Sequence, residues 1–187
     1  GVISSELSDE VLVDAITGIV IVAAPSMIEA APTLPSSQYV QVKGKIGLPD
    51  DELEGLRELF IGQPISRAML DILEQSVRFA MSEAGRPFSL VYLPPQDISE
   101  GIVQVVAQPS ALSSLEIEGA NYFSEQDYRR RLPLVVDSAI DQVALSRGLD
   151  RINANPFRRA TLSVAPGDQP ATSQVVVQVQ EMKPWRF

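Results

Sequence analysis

The chain contains one order of predicted elements twice, and this repeat constrains the fold more than any other feature of the sequence. A short alternating strand that ends at a glycine, residues 40–44, has a counterpart at residues 115–119, 75 residues later. Each copy is followed by two helical patterns and then by two further strands. A tandem repeat of this length predicts an α+β fold of two small domains in succession, rather than a solenoid of short units.

The first copy of the repeat extends over residues 38–110. Three acidic residues at 50–52 mark a helix start, because carboxylates are stabilised at the positive end of a helix dipole. A second helix begins near Ser66, with apolar residues at three- and four-residue steps that predict one buried stripe. Two short strands are predicted at residues 88–92 and 101–107.

The second copy extends over residues 111–187. A capping-box pattern at residues 124–127 predicts the start of its first helix, and the second helix is predicted over residues 138–153. Alternation of valine and glutamine at residues 174–180 predicts a half-buried strand. Proline, glycine and aspartate at 166–170 predict the turn of a closing hairpin.

Residues 1–37 are predicted to form a segment of their own in front of the first domain. Residues 4–16 mix acidic and apolar side chains, which predicts a short amphipathic helix. Residues 18–23 are rich in β-branched side chains and predict a short strand. The three prolines within residues 25–37 indicate a linker.

Composition excludes several classes of function. The chain has no histidine and no cysteine, so it lacks the commonest general base, the commonest metal ligand and any thiolate nucleophile. We therefore expect no catalytic site, no metal site and no cofactor. Residues 1–110 carry 15 acidic and 6 basic side chains, whereas residues 111–187 carry 9 of each. An acidic half followed by a neutral half argues against a nucleic-acid partner.

Four motifs narrow the interpretation further. They are YLPPQDI at residues 92–98, EGANYFS at 118–124, LDRINANPFRR at 149–159 and KPWR at 183–186. Together with the doubled element order, they resemble the POTRA (polypeptide-transport-associated) domains of two-partner secretion transporters, which are Omp85-superfamily proteins of Gram-negative outer membranes. The resemblance extends over residues 16–187.

The resemblance implies two successive POTRA domains, each β-α-α-β-β with a three-stranded mixed sheet and two helices on one face. In that family the pair lies at the periplasmic face of the outer membrane. It captures an unfolded exported partner protein and delivers it to a sixteen-stranded barrel formed by the rest of the same chain. We expect this chain to be the periplasmic part only, and to be monomeric.

The resemblance also suggests where a client chain would bind. An edge strand offers unpaired N–H and C=O groups to an extended segment, and the strand after the second helix of each domain is the expected edge. The predicted substrate-binding residues are Met69, Leu73, Phe88, Leu90, Tyr92, Leu162 and Val164.

A second set of residues is predicted to lie at the barrel. It comprises Arg158, Arg159, Trp185 and Arg186. Because Arg158 and Arg159 alternate along a strand, one of them is expected to pair with acidic residues and the other to meet the barrel.

Two alternatives stay open at this point. The chain could be the periplasmic POTRA module of an outer-membrane protein assembly factor, or a POTRA-type scaffold for protein–protein contacts. Assembly factors usually carry more than two POTRA units, which favours secretion. The tandem repeat argues against a scaffold with one unit.

Overall fold

The computed structural model describes residues 10–184, and the chain divides after Gln108 into two compact units. The first unit has strands β1 (Val11–Val13), β2 (Gly18–Val22), β3 (Val40–Lys43), β4 (Ile65–Ser66), β5 (Leu90–Tyr92) and β6 (Ile102–Gln108), and helices α1 (Asp50–Phe60) and α2 (Arg67–Glu83). The second unit has strands β7 (Ala111–Glu118), β8 (Arg158–Pro166) and β9 (Thr172–Glu181), and helices α3 (Glu125–Arg131) and α4 (Gln142–Asn153). The predicted α+β class is confirmed.

The sheet of the first unit has four strands in the order β3-β2-β6-β5, where a three-stranded sheet was expected. Strand β2 is parallel to β3 on one side and to β6 on the other, and β5 is antiparallel to β6. The segment of residues 1–37, which the sequence separated from the first domain, therefore supplies an inner strand of its sheet. The physical reason is that all five residues of β2 are buried, and an inner strand covered on both faces is where such a run fits.

The two faces of this sheet have different covers. On one face Ile19 and Ile21 of β2 pack in a core that includes residues of α1 and α2, such as Phe60 and Leu73. On the other face Val20 and its neighbours pack with the half-buried side chains of Ile28, Leu34, Tyr92 and Ile102. The stretch predicted as a linker thus covers the face of the sheet away from the helices.

The amphipathic helix predicted over residues 4–16 is not found where the chain is described. Residues 1–9 lie outside the described part, and residues 11–13 form β1, which pairs antiparallel with β4. The side chain of Ile16 enters the core, and its backbone N–H and C=O bond to Gln63 and Gly62. These contacts favour an extended conformation over a helix.

The second unit has the predicted three-stranded mixed sheet, in the order β7-β9-β8. Strand β9 is parallel to β7 and antiparallel to β8. Val175, Val177 and Val179 of β9 are buried, as their alternation predicted. Helices α3 and α4 contribute Tyr128 and Leu145 to the buried residues of the unit.

Helix α4 begins later than predicted. Asp141 caps it by accepting hydrogen bonds from the N–H groups of Val143 and Ala144. Ser138 and Ile140, which were expected to be helical, instead bond to the backbone of Leu112 and Ser110 at the outer edge of β7. Pairing with the sheet therefore outweighs the helical pattern here.

Within residues 10–184, every helix is too short or too polar to span a lipid bilayer.

Candidate functional site at the β8 edge

Strand β8 is an edge of its sheet, because β9 is its only partner strand among residues 10–184. The N–H and C=O of Ala160 bond to the side-chain amide of Asn153, at 2.7 and 3.1 Å, so both groups point away from β9. In an antiparallel ladder this direction alternates along the strand, and the register continues unbroken over Arg158–Pro166. Leu162 and Val164 therefore also direct their N–H and C=O groups outward.

The outward edge is closed at both ends and open between them. At one end the amide of Asn153 occupies the groups of Ala160, and at the other Pro166 has no N–H to donate. The outward groups of Leu162 and Val164 have no hydrogen-bond partner in the part of the chain that the structure describes. An edge with unpaired groups is a template for an added strand.

The side chains along this edge have one apolar and one polar face. Leu162 and Val164 lie opposite Val177 and Val175 of β9, on the face that carries the core, and both are half-buried. Thr161 and Ser163, which alternate with them along the strand, are exposed. A strand added here would meet apolar side chains on one face and solvent on the other.

The corresponding edge in the first unit is shorter and better covered. The C=O of Val91, at the centre of β5, accepts a hydrogen bond from the Arg78 guanidinium at 3.0 Å. The N–H of Ser89, just before the strand, donates to the C=O of Arg86. Of the two predicted edges, β8 therefore offers more unpaired backbone groups.

The residues predicted to bind substrate in the first unit do not form one surface. Val91 packs in the same core as Leu73, whereas Tyr92 packs on the opposite face of the sheet and Leu90 is exposed. Met69 packs against the core that contains Leu73, so neither α2 residue shares a groove with Leu90 or Tyr92. The predicted grouping is wrong, because Val91 points to the helix-covered face of the sheet and its strand neighbours Leu90 and Tyr92 point to the opposite face.

Two of these residues also differ individually from what was expected. Leu73 is 0% exposed, so it belongs to the core and offers no contact surface. Phe88 lies in a turn before β5 rather than on the strand, and it is half-buried.

Arg158 was predicted to lie at the barrel, and the structure places it inside the second unit. Only 6% of Arg158 is exposed. Its guanidinium donates to Asp127 at 2.7 Å and to the C=O of Ile152 at 3.2 Å, and lies over the rings of Phe123 and Tyr128. The expectation that one of the two arginines pairs with acidic residues is confirmed for Arg158.

Of the other three residues predicted to lie at the barrel, one is exposed and two lie outside residues 10–184. Arg159 is exposed on the polar face of β8. Trp185 and Arg186 lie outside the described residues.

Two carboxylates hold the loop after β7 and the start of α3 in place. Glu181 accepts hydrogen bonds from the backbone N–H groups of residues 121–123 and from the hydroxyl of Tyr128 at 2.6 Å. Burial works to raise the pKa of Glu181, but these donors outweigh it and hold the pKa below its ordinary value. Burial, and then Glu181, raises the pKa of Tyr128.

Asp127 is the second of these carboxylates. Hydrogen bonds from Arg131 first, and then from Arg158, lower the pKa of Asp127. The backbone of the EGANYFS motif and Arg158 of the LDRINANPFRR motif therefore make hydrogen bonds within the second unit.

Two side-chain amides that close sheet edges were not predicted from the sequence. Asn153 was interpreted as part of a helix end. Gln96, in the YLPPQDI motif, bonds through its amide to the N–H and C=O of Gln104 on β6, both at 2.7 Å. Each amide replaces a neighbouring strand at one residue. The signal available was an Asn or Gln within three residues of a proline in a motif, but its partner could not be deduced from spacing.

Comparison with known proteins finds a family model that matches the first unit. Residues 36–109 match the family model described as POTRA domain, ShlB-type. Over these residues the first unit is therefore similar to a ShlB-type POTRA domain. The POTRA match begins after β2, so the inner strand of the first unit comes from outside the matched segment.

A curated relative extends the similarity into the second unit. The chain is 24% identical over 156 residues to the outer membrane transporter CdiB-2 of Burkholderia pseudomallei (strain 1026b). The alignment covers 82% of this chain and 26% of the relative, so the chain spans about a quarter of that protein's length.

Solved structures show the same fold. CdiB from Acinetobacter baumannii matches with a TM-score of 0.66 and 14% identity, over 91% of this chain and 30% of that chain. POTRA domains 1–3 of Omp85 from Anabaena match with a TM-score of 0.63 and 14% identity, over 90% and 66%. Both units therefore have the POTRA fold, as the sequence predicted.

Proposed function

We propose that this chain is the periplasmic substrate-recognition part of a two-partner secretion transporter, and that it binds an extended segment of the exported protein by strand addition at β8. The observation that carries the proposal is the pair of unpaired residues, Leu162 and Val164, on an otherwise closed edge. The ShlB-type match and the CdiB-2 relative support the transporter context.

Strand addition suits a carrier of unfolded chains for a physical reason. Its affinity comes from backbone hydrogen bonds, which every sequence except proline can supply, and side-chain contacts add only a preference. Leu162 and Val164 present two N–H and two C=O groups. Since a net hydrogen bond contributes about 1 kcal/mol, this contact is weak and reversible, as delivery to a barrel requires.

The remaining partners belong to the same proposal. The client is an unfolded exported protein, and the next recipient is a sixteen-stranded barrel continuing this chain. Arg159, Trp185 and Arg186 are the residues we propose for the barrel contact. The β5 edge, with Leu90 exposed beside it, is a second and weaker contact for the client.

The test separates backbone pairing from side-chain contact at one position. Leu162→Pro removes an outward N–H and keeps all the hydrogen bonds between β8 and β9. Leu162→Ala keeps the N–H and shortens the side chain. The probe is a fluorescein-labelled synthetic peptide that alternates valine and threonine, with a lysine at each end. Binding is measured by fluorescence anisotropy, and circular dichroism checks that each variant is folded.

We expect the proline variant to bind about tenfold more weakly, and the alanine variant to lose about threefold or less. Equal losses in the two variants would show that side-chain packing, rather than strand addition, holds the peptide. Unchanged binding by a folded proline variant would remove β8 as the site.

A further inference from the structure

Because the β8 edge is closed at both ends, it limits which client segments can pair with it. The amide of Asn153 makes the two hydrogen bonds at Ala160 that an added strand would make there. At the far end, Pro166 offers no N–H. Pairing through both the N–H and the C=O of a residue is therefore confined to Leu162 and Val164.

We propose that Asn153 is a specificity-determining residue that sets where an added strand must end. The inference rests on the proposed function of β8. A strand centred opposite Ser163 pairs with the free groups of Leu162 and Val164. A strand centred opposite Thr161 would need the groups of Ala160, so it would have to displace the amide.

This restriction defines the chemistry of the partner. The segment that fits is about five residues long, since neighbouring residues of a strand are about 3.3 Å apart and only one pair of outward residues is free. Its side chains opposite Leu162 and Val164 are apolar, because those residues are half-buried on the core face. Its central side chain, opposite exposed Ser163, is polar or small.

The natural absence of cysteine allows a direct measurement of register on the whole chain. Single cysteines are placed by Thr161→Cys or by Ser163→Cys, both on the exposed face of β8. The probe is a synthetic peptide with the core threonine-valine-cysteine-valine-threonine and a lysine at each end. Disulfide formation under a glutathione buffer reports which position lies opposite the peptide cysteine, because directly opposed side chains are about 5 Å apart.

Each position is compared with and without the amide. With Asn153 present, we expect position 163 to cross-link about thirtyfold faster than position 161, because the 161 register loses two ladder hydrogen bonds. Asn153→Ala should raise the rate at 161 to that at 163 and leave 163 unchanged. Asn153→Asp keeps an acceptor for the Ala160 N–H but loses the donor, so its ratio should be intermediate.

The controls separate this inference from the proposed function. Ser146→Cys, on an exposed part of α4, gives the rate of random collision. If positions 161 and 163 both react no faster than this control, strand addition at β8 is itself refuted. If both positions react faster than the control but at equal rates in the chain with Asn153, only the role of Asn153 is refuted. The same holds if the ratio of the two rates is unchanged by Asn153→Ala. Should Asn153→Ala fail to fold by circular dichroism, the Asn153→Asp ratio decides between these outcomes.

Discussion

Replacing Arg158 with alanine tests whether the interior position of this arginine stabilises the second unit. The change removes the hydrogen bond to Asp127, leaves the C=O of Ile152 without its donor, and removes a cation from two aromatic rings. Arg159 is a matched control, because it is the next residue of the same strand and is exposed.

The expected magnitude follows from these contacts. Breaking a buried ion pair costs about 3–5 kcal/mol, but the side chain of Asp127 is 31% exposed and retains Arg131 as a partner. Solvent therefore reduces the ionic part, while the lost carbonyl partner and cation–π contacts add about 1–2 kcal/mol each. We expect Arg158→Ala to lower the free energy of unfolding by about 3 kcal/mol, and Arg159→Ala by about 0.5 kcal/mol or less.

The measurement must report on the second unit alone. Urea unfolding is followed by the amide NMR signals of Val175 and Val177, which lie in the centre of its sheet. In a thermal scan, 3 kcal/mol corresponds to a fall in Tm of about 12–24 °C for a unit of this size. Equal effects of the two substitutions, or a loss below about 1 kcal/mol for Arg158→Ala, would refute the assigned role.

The remaining predictions concern the effect of low pH and of substitutions at two glycines. The pKa values of Asp127 and Glu181 are lowered in the folded chain from the ordinary values of 3.8 and 4.5. The two carboxylates therefore stabilise the fold fully above about pH 5, and this stabilisation is lost as the pH falls through their lowered pKa values. Thermal scans between pH 7 and pH 3 should show this fall in Tm, and a Tm that stays constant would contradict it. Gly119 has φ +85°, and an added Cβ would overlap the C=O of Val179, so Gly119→Ala should cost at least about 1–3 kcal/mol. Gly55 lies in α1, and a Cβ added there would meet open space. Gly55→Ala should therefore stabilise the chain by about 1 kcal/mol, and urea titration of both variants would measure these changes.

Patterns local in sequence were sufficient for much of the fold. The buried stripe of α2, the capped start of α3 and the alternation of β9 each depend on neighbouring residues, and all three are found where they were predicted. That strand β8 is an edge was predicted from the resemblance to the POTRA family, which implies an open edge at the strand after the second helix. The open residues Leu162 and Val164 were among the predicted site residues.

Other features depended on partners distant in the chain. An apolar run such as Gly18–Val22 can form a strand in many places, and only the folded sheet shows that it lies between β3 and β6. Alternation separated Arg158 from Arg159 but could not say which one faces Asp127, because that depends on how α3 packs.

Local patterns predicted the β-α-α-β-β order of each unit and the hairpin that closes the second one, since backbone propensity and side-chain periodicity act over a few residues. The tertiary structure alone decided which edge groups stay unpaired. Asn153 reaches Ala160 across a helix end and a turn, and such a contact exists only once the helix has packed beside the sheet.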